Sequence, residues 1–247
     1  MTPPRPARST VPLAAAAHRT RTGDLWLFRG RTVADRMIRT VTNAPVNHVG
    51  VAVVVEDLPP LLWHAEMGRS LPDVWTGTRH RGVQLHVLTD AVRHWCGSYG
   101  QRAWFRQLSP EAGADAEDAV LETVARWDGV SFPTTAALAG RWARGRWEDR
   151  GGLGARLRGL RRGGGGPDAA GRTAGAGRRT EAAYCAEVAA VTLEAMGVLR
   201  PGAAPNWYDP GRFWSGDELP LAEGWSYGRE IAVAPPAGPA TEPPEVD

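Results

Sequence analysis

The chain has 247 residues, 43% of them apolar, with 29 basic side chains against 27 acidic ones, an ordinary globular composition. Such a length accommodates one large domain or two small ones, and a core that folds without disulfide or metal staples. No apolar run approaches the roughly 20 residues needed to cross a bilayer, which excludes an integral membrane protein and leaves only peripheral contact with a membrane surface.

Residues 1–22 contain a single short apolar run, Leu13 to Ala17, below the roughly 7 to 15 residues of a secretory signal. They read as a disordered arm, and the protein as cytoplasmic. A strand is expected at Leu25 to Phe28, after the turn signal Gly23-Asp24. A short helix follows over Val33 to Val41, where Val33, Met37, Ile38 and Val41 share one helical face. Further strands are expected at His48 to Val55, Leu61 to Glu66, Val83 to Leu88 and Arg102 to Leu108. Glu111 to Trp127 carries an amphipathic helical pattern, and Thr134 to Trp147 a second one.

Residues 150–179 contain 11 Gly and 8 Arg with one acid, Asp168. So little apolar surface cannot offset the entropy of ordering, and a mobile insert is expected. Its excess of arginine lacks aromatic residues for base stacking, so no nucleic-acid partner is expected. A last helix spans Glu181 to Met196 and is stopped by Gly197. The tail 234–247 is rich in Pro and acid and reads as disordered. The working domain is thus 23–233, interrupted once. Strands and helices in separate blocks argue for an α+β fold with an antiparallel sheet.

Side chains alternate faces along a strand, so His48, Gly50 and Ala52 share one face and Val49, Val51 and Val53 the other. The small residues beside His48 leave room for another element to approach. The connection Glu56 to Pro60 makes a hairpin with Leu61 to Glu66. Antiparallel pairing then brings Glu66 opposite His48 or Gly50 and His64 about one pair further along; either could fix the imidazole tautomer. Cys185 lies near the start of the last helix, where the backbone dipole favours thiolate. The chain has two cysteines, Cys96 and Cys185, in no paired motif. His80, His86 and His94 with Cys96 lack the spacing of structural zinc ligands, and no phosphate-cradling glycine loop is present. No metal and no cofactor are expected.

Four segments occur in a telling order: Gly23-Asp24-Leu25-Trp26-Leu27-Phe28, Asn47-His48-Val49-Gly50-Val51, Trp63-His64-Ala65-Glu66, and Tyr184-Cys185-Ala186-Glu187 opening a helix. Together they resemble the circularly permuted, YiiX-like branch of the NlpC/P60 papain-like cysteine hydrolases, which are related to lecithin:retinol acyltransferase-like proteins. The resemblance spans about residues 23–197. It implies that Cys185 is the nucleophile and His48 the base, with His64 or Glu66 as the orienting residue. Asn47 and Tyr184, beside base and nucleophile, are the expected substrate contacts. Where the branch often has Ser after the cysteine, this chain has Ala186. The implied activity is hydrolysis or transfer of an amide or ester acyl group through a thioester, on a peptide, small-molecule or lipid substrate. The alternative is a non-catalytic module that binds an acyl chain or peptide in the same groove.

Overall fold

The computed structural model describes residues 10–30, 45–66, 68–129, 185–204, 207–216 and 218–234. In chain order the elements are β1 (Thr10–Val11), α1 (Leu13–Arg19), β2 (Leu25–Arg29), β3 (His48–Val53), β4 (Leu61–Glu66), β5 (Gly82–Val87), α2 (Leu88–Ser98), β6 (Arg102–Arg106), β7 (Leu108–Ser109), α3 (Ala114–Trp127), α4 (Cys185–Ala195), a 3-10 turn (Pro210–Phe213), β8 (Ser226–Tyr227) and β9 (Ile231–Val233). Seven strands form one sheet in the order β1-β9-β6-β2-β3-β4-β5, and β7 pairs with β8 separately.

Alternation along the strands divides the interior in two. Leu25, Leu27, Val49, Val51, Val53, Leu61, Trp63 and Ala65 face a core completed by α3 and α4. Trp26, Phe28, Ala52, Leu62 and Phe105 face a second core completed by α1 and α2. The fold is therefore α+β, with a sheet covered on both faces.

α4 buries nearly its whole circumference, from Cys185 and Ala186 to Leu193, because it lies between β3, β4 and α3. The indole N–H of Trp63 in β4 donates to Thr192 Oγ1 at 3.1 Å, and that hydroxyl donates back to Val188 O at 2.7 Å. Gly197 follows with φ of 71°, the left-handed geometry glycine adopts without steric cost, as its expected role as a helix stop requires.

Several expectations are corrected. Residues 10–22 are not a disordered arm: β1 pairs with β9, and α1 buries Leu13, Ala16 and Ala17. Five short apolar residues suffice for a helix that docks. The sheet is mixed, because β1 runs parallel to β9 while the other pairs are antiparallel. The expected strand Arg102 to Leu108 is two strands, β6 and β7, divided at Gln107. α2 was not anticipated, although Leu88, Ala91, Val92, Trp95 and Cys96 have the spacing of a helical stripe. The helices expected at 33–41 and 134–147, the insert 150–179 and the tail beyond 234 lie outside the described residues.

Among the described residues no helix is long and apolar enough to cross a membrane.

Candidate functional site

His48 is the first residue of β3, beside Phe28 in the adjacent β2. The β3–β4 ladder is recorded from Val51↔Trp63 onward, and continuing that register sets Gly50 opposite His64 and His48 opposite Glu66. The ring of His64 then reaches diagonally, as aromatic-sized side chains can, and its Nδ1 lies 3.1 Å from His48 Nε2. Gly50 makes this possible: a Cβ there would stand 2.7 Å from Leu62 Cδ1 and 3.1 Å from His64 Cβ. Trp95 from α2 closes over both rings, edge-on at 5.2 Å from His48 and 5.0 Å from His64.

The chain of imidazoles continues. His64 Nε2 is 3.1 Å from His86 Nδ1 in β5, and His86 Nε2 is 3.1 Å from Gln84 Oε1. An amide oxygen only accepts, so His86 carries its proton on Nε2. Burial, with the neighbouring imidazoles His86 and His48, holds the pKa of His64 well below its ordinary value. Burial likewise lowers His86 to about 4, so both rings are neutral at pH 7. With His86 Nδ1 an acceptor, His64 donates from Nε2 and accepts at Nδ1, and His48 donates from Nε2. The lone pair of a neutral His48 is then on Nδ1. Gln84 thus sets three tautomers in series.

Glu66 points into the same cluster. Its Oε2 lies 3.8 Å from His86 Nδ1 and has no hydrogen-bond partner, while Oε1 accepts from Ser70 Oγ at 3.2 Å. Burial raises its pKa, and Ser70 and Trp95 hold it back. Of the two candidate orienting residues, His64 touches His48, and Glu66 lies toward His86.

Cys185 lies on α4 and packs in the other core, with Val49, Val51 and Trp63. Burial pushes its thiol up to about 11, against the lowering effect of backbone N–H groups at Val49, Ala186 and Cys185 itself. Two corrections follow. The small-residue face of β3 receives Leu62 and α2, while the cysteine helix lies on the valine face; the rings around His48, namely Phe28, His64 and Trp95, belong to the α2 side. The thiol is also not depressed toward thiolate, because desolvation outweighs the helix start. Of the three backbone N–H groups that act on the Cys185 sulfur, one belongs to Val49, the residue after His48.

Asn47 is buried, and its Oδ1 accepts the backbone N–H of Gly30 at 2.7 Å, which ties the end of β2 to the start of β3. Tyr184 lies outside the described residues. The histidines screened for zinc spacing separate: His94 bonds Tyr99 and His80 bonds Thr78 and the Val83 carbonyl, while His86 joins His64 from a neighbouring strand. The sequence reading missed His86 and Gln84 in this role. The signal lay in the alternation of β5, which sets Gln84 and His86 on one face, the face that His64 and Glu66 share in β4.

No protein-family model matches the sequence, and no curated protein matches it. Among solved structures the chain is similar to one described as metalloprotein yiiX from Escherichia coli O157:H7, at 13% identity and a TM-score of 0.46, over 86% of this chain and 98% of that one.

Proposed function

We propose that the protein is a cysteine-dependent hydrolase or acyltransferase of the permuted papain-like type, acting on amide or ester bonds with Cys185 as nucleophile, His48 as base and His64 as the residue that orients it. The observation that carries this reading is the meeting at the start of β3: His48 is held by His64 at 3.1 Å, and the Cys185 thiol meets the backbone N–H of the next residue, Val49. His48 and Cys185 lie on opposite faces of β3, so the reading requires the imidazole to turn around the strand terminus to reach the sulfur.

Since burial keeps the thiol protonated, His48 must take its proton as the sulfur attacks the acyl carbon, in the manner of general-base catalysis. The tautomer set by Gln84 puts the lone pair of His48 on Nδ1, which takes that proton, and the Nε2–H bond to His64 stabilises the imidazolium that forms. The backbone N–H of Cys185 donates to the developing oxyanion. His48 then returns the proton to the leaving amine or alcohol. Water or a second acceptor, deprotonated by His48, releases the acyl group from the thioester.

The test is turnover of acyl esters of p-nitrophenol and of a D-Glu-linked dipeptide amide. Wild-type protein is expected to cleave one of these classes, His48→Ala to lose about 10² to 10⁴-fold, and Cys185→Ser to trap no thioester by mass spectrometry. Equal activity of wild type and Cys185→Ser would overturn the assignment. The burial of Cys185 favours one alternative, a non-catalytic acyl or peptide binding module. Saturable binding of such a ligand without any turnover would establish that instead.

A further inference from the structure

We propose that His64, Glu66 and His86 form a binding site for a zinc-like divalent transition ion. One ring nitrogen of His64, one of His86 and a Glu66 carboxylate oxygen all lie within 4.8 Å of one another. His64 Nε2 and His86 Nδ1 are 3.1 Å apart, and the latter nitrogen is 3.8 Å from Glu66 Oε2. An ion with bonds of roughly 2.0–2.1 Å in tetrahedral array holds neighbouring ligand atoms about 3.3 Å apart, so these two separations need change by about half an ångström or less, and the Glu66 carboxylate swings toward His64 to complete the array. Two neutral imidazoles and a carboxylate are a zinc ligand set that leaves the fourth position to water. All three stand on adjacent strands, β4 and β5, paired in register from Leu61↔Val87 to Glu66↔Gly82, which makes the site rigid.

Two features beyond the cluster argue for an ion. Glu66 Oε2 is buried without a hydrogen-bond partner, a costly state for a carboxylate oxygen that a cation would relieve. The outer nitrogens of both rings also already have the partners that metal-bound histidines require. His86 Nε2 meets Gln84 Oε1 at 3.1 Å, and His64 Nδ1 meets His48 Nε2 at 3.1 Å.

The ion would alter His48, a consequence that rests on the proposed hydrolase reading. Metal at His64 Nε2 displaces the proton shared with His86, and that proton moves to His64 Nδ1. His64 then donates to His48 Nε2, so a neutral His48 carries its proton on Nδ1 and has no lone pair there for the thiol. A protonated Glu66 releases its proton to solvent on binding. Metal and base action are thus mutually exclusive states of one imidazole chain, and zinc inhibits.

The experiment uses the full chain, stripped with a chelator and titrated with ZnCl₂ by calorimetry and with CoCl₂ by visible absorption. One zinc per chain and a tetrahedral cobalt band are expected. Glu66→Gln and His86→Ala should each weaken zinc binding at least about tenfold, whereas Cys185→Ala and Cys96→Ser retain it. A circular dichroism melt of each variant shows that it is folded, and Glu66→Gln, nearly isosteric, serves if His86→Ala is not. Absence of the cobalt band, or zinc binding unaffected by Glu66→Gln, would overturn the site. These readouts need no turnover, so a failed hydrolase assignment and a failed metal site are distinguishable. If turnover is present, zinc should inhibit the wild type and Glu66→Gln should relieve that inhibition; full turnover with zinc bound would overturn the coupling.

Discussion

Burial raises both thiols to about 11, Cys96 on the α2 side and Cys185 on the α4 side, and this governs how Cys185 can react. At neutral pH the thiolate is a minor species, so plain alkylation is slow. Alkylation of each cysteine by iodoacetamide, followed by peptide mass spectrometry, is expected to quicken roughly tenfold per pH unit from about 7 to 10, as the thiolate fraction grows. A rate for Cys185 that is fast and flat below pH 8 would reveal a preformed thiolate and imidazolium pair. The candidate nucleophile and base were legible as residue types: one cysteine near a helix start, one histidine at a strand start. The ionisation was not, since it depends on how completely α4 is enclosed by β3, β4 and α3, which no local spacing records.

At the scale of elements, β4 is the hub. Its odd positions, Leu61, Trp63 and Ala65, fill the α4 core, and its even positions, Leu62, His64 and Glu66, face the α2 side, where Leu62 joins the second core. The bond from the Trp63 indole to Thr192 sets the depth of α4 over the sheet and therefore the place of Cys185. Thr192→Val should leave that buried N–H without an acceptor and cost about 1–3 kcal/mol, read as a lower urea midpoint with an unchanged slope. No loss of stability would mean that apolar packing alone seats the helix. The bounds of β4 coincide with the sequence expectation because Pro59-Pro60 before it and Gly68 soon after it punctuate a clear apolar stretch. α2 escaped the same reading. Its five-residue stripe begins directly at the end of β5, with no loop between the two patterns to separate period two from period 3.6.

Across the whole molecule, the C-terminal segment is held to the sheet by a buried cation. Arg106 in β6 donates to the carbonyls of Gly228 at 2.8 Å, Phe213 at 2.6 Å and Tyr227 at 3.4 Å, and Glu230 lies 3.8 Å away. Arg106 therefore joins β6 to the 3-10 turn, β8 and the approach to β9. Arg106→Met should destabilise by about 3–5 kcal/mol, because it strands three carbonyls that the arginine now satisfies and removes the counter-charge beside Glu230; denaturant unfolding measures it. A loss under about 1 kcal/mol would show that strand pairing of β9 with β6 holds the segment unaided. Nothing near Arg106 in sequence identifies these partners, which lie more than 100 positions away.

The alternation of apolar and polar residues determined by itself that β2, β3, β4 and β5 exist, which side chains share their faces, and that Cys185 lies on a helix running to Met196, because a strand's period and a helix's turn are local properties of the backbone. Tertiary structure alone decided that α4 covers the valine face, that the small residues beside His48 receive Leu62 and α2, and that His64 continues into His86 and Gln84. Those outcomes depend on which strand lies beside which and on how far each buried group is taken from water, and both are set only when distant segments pack together.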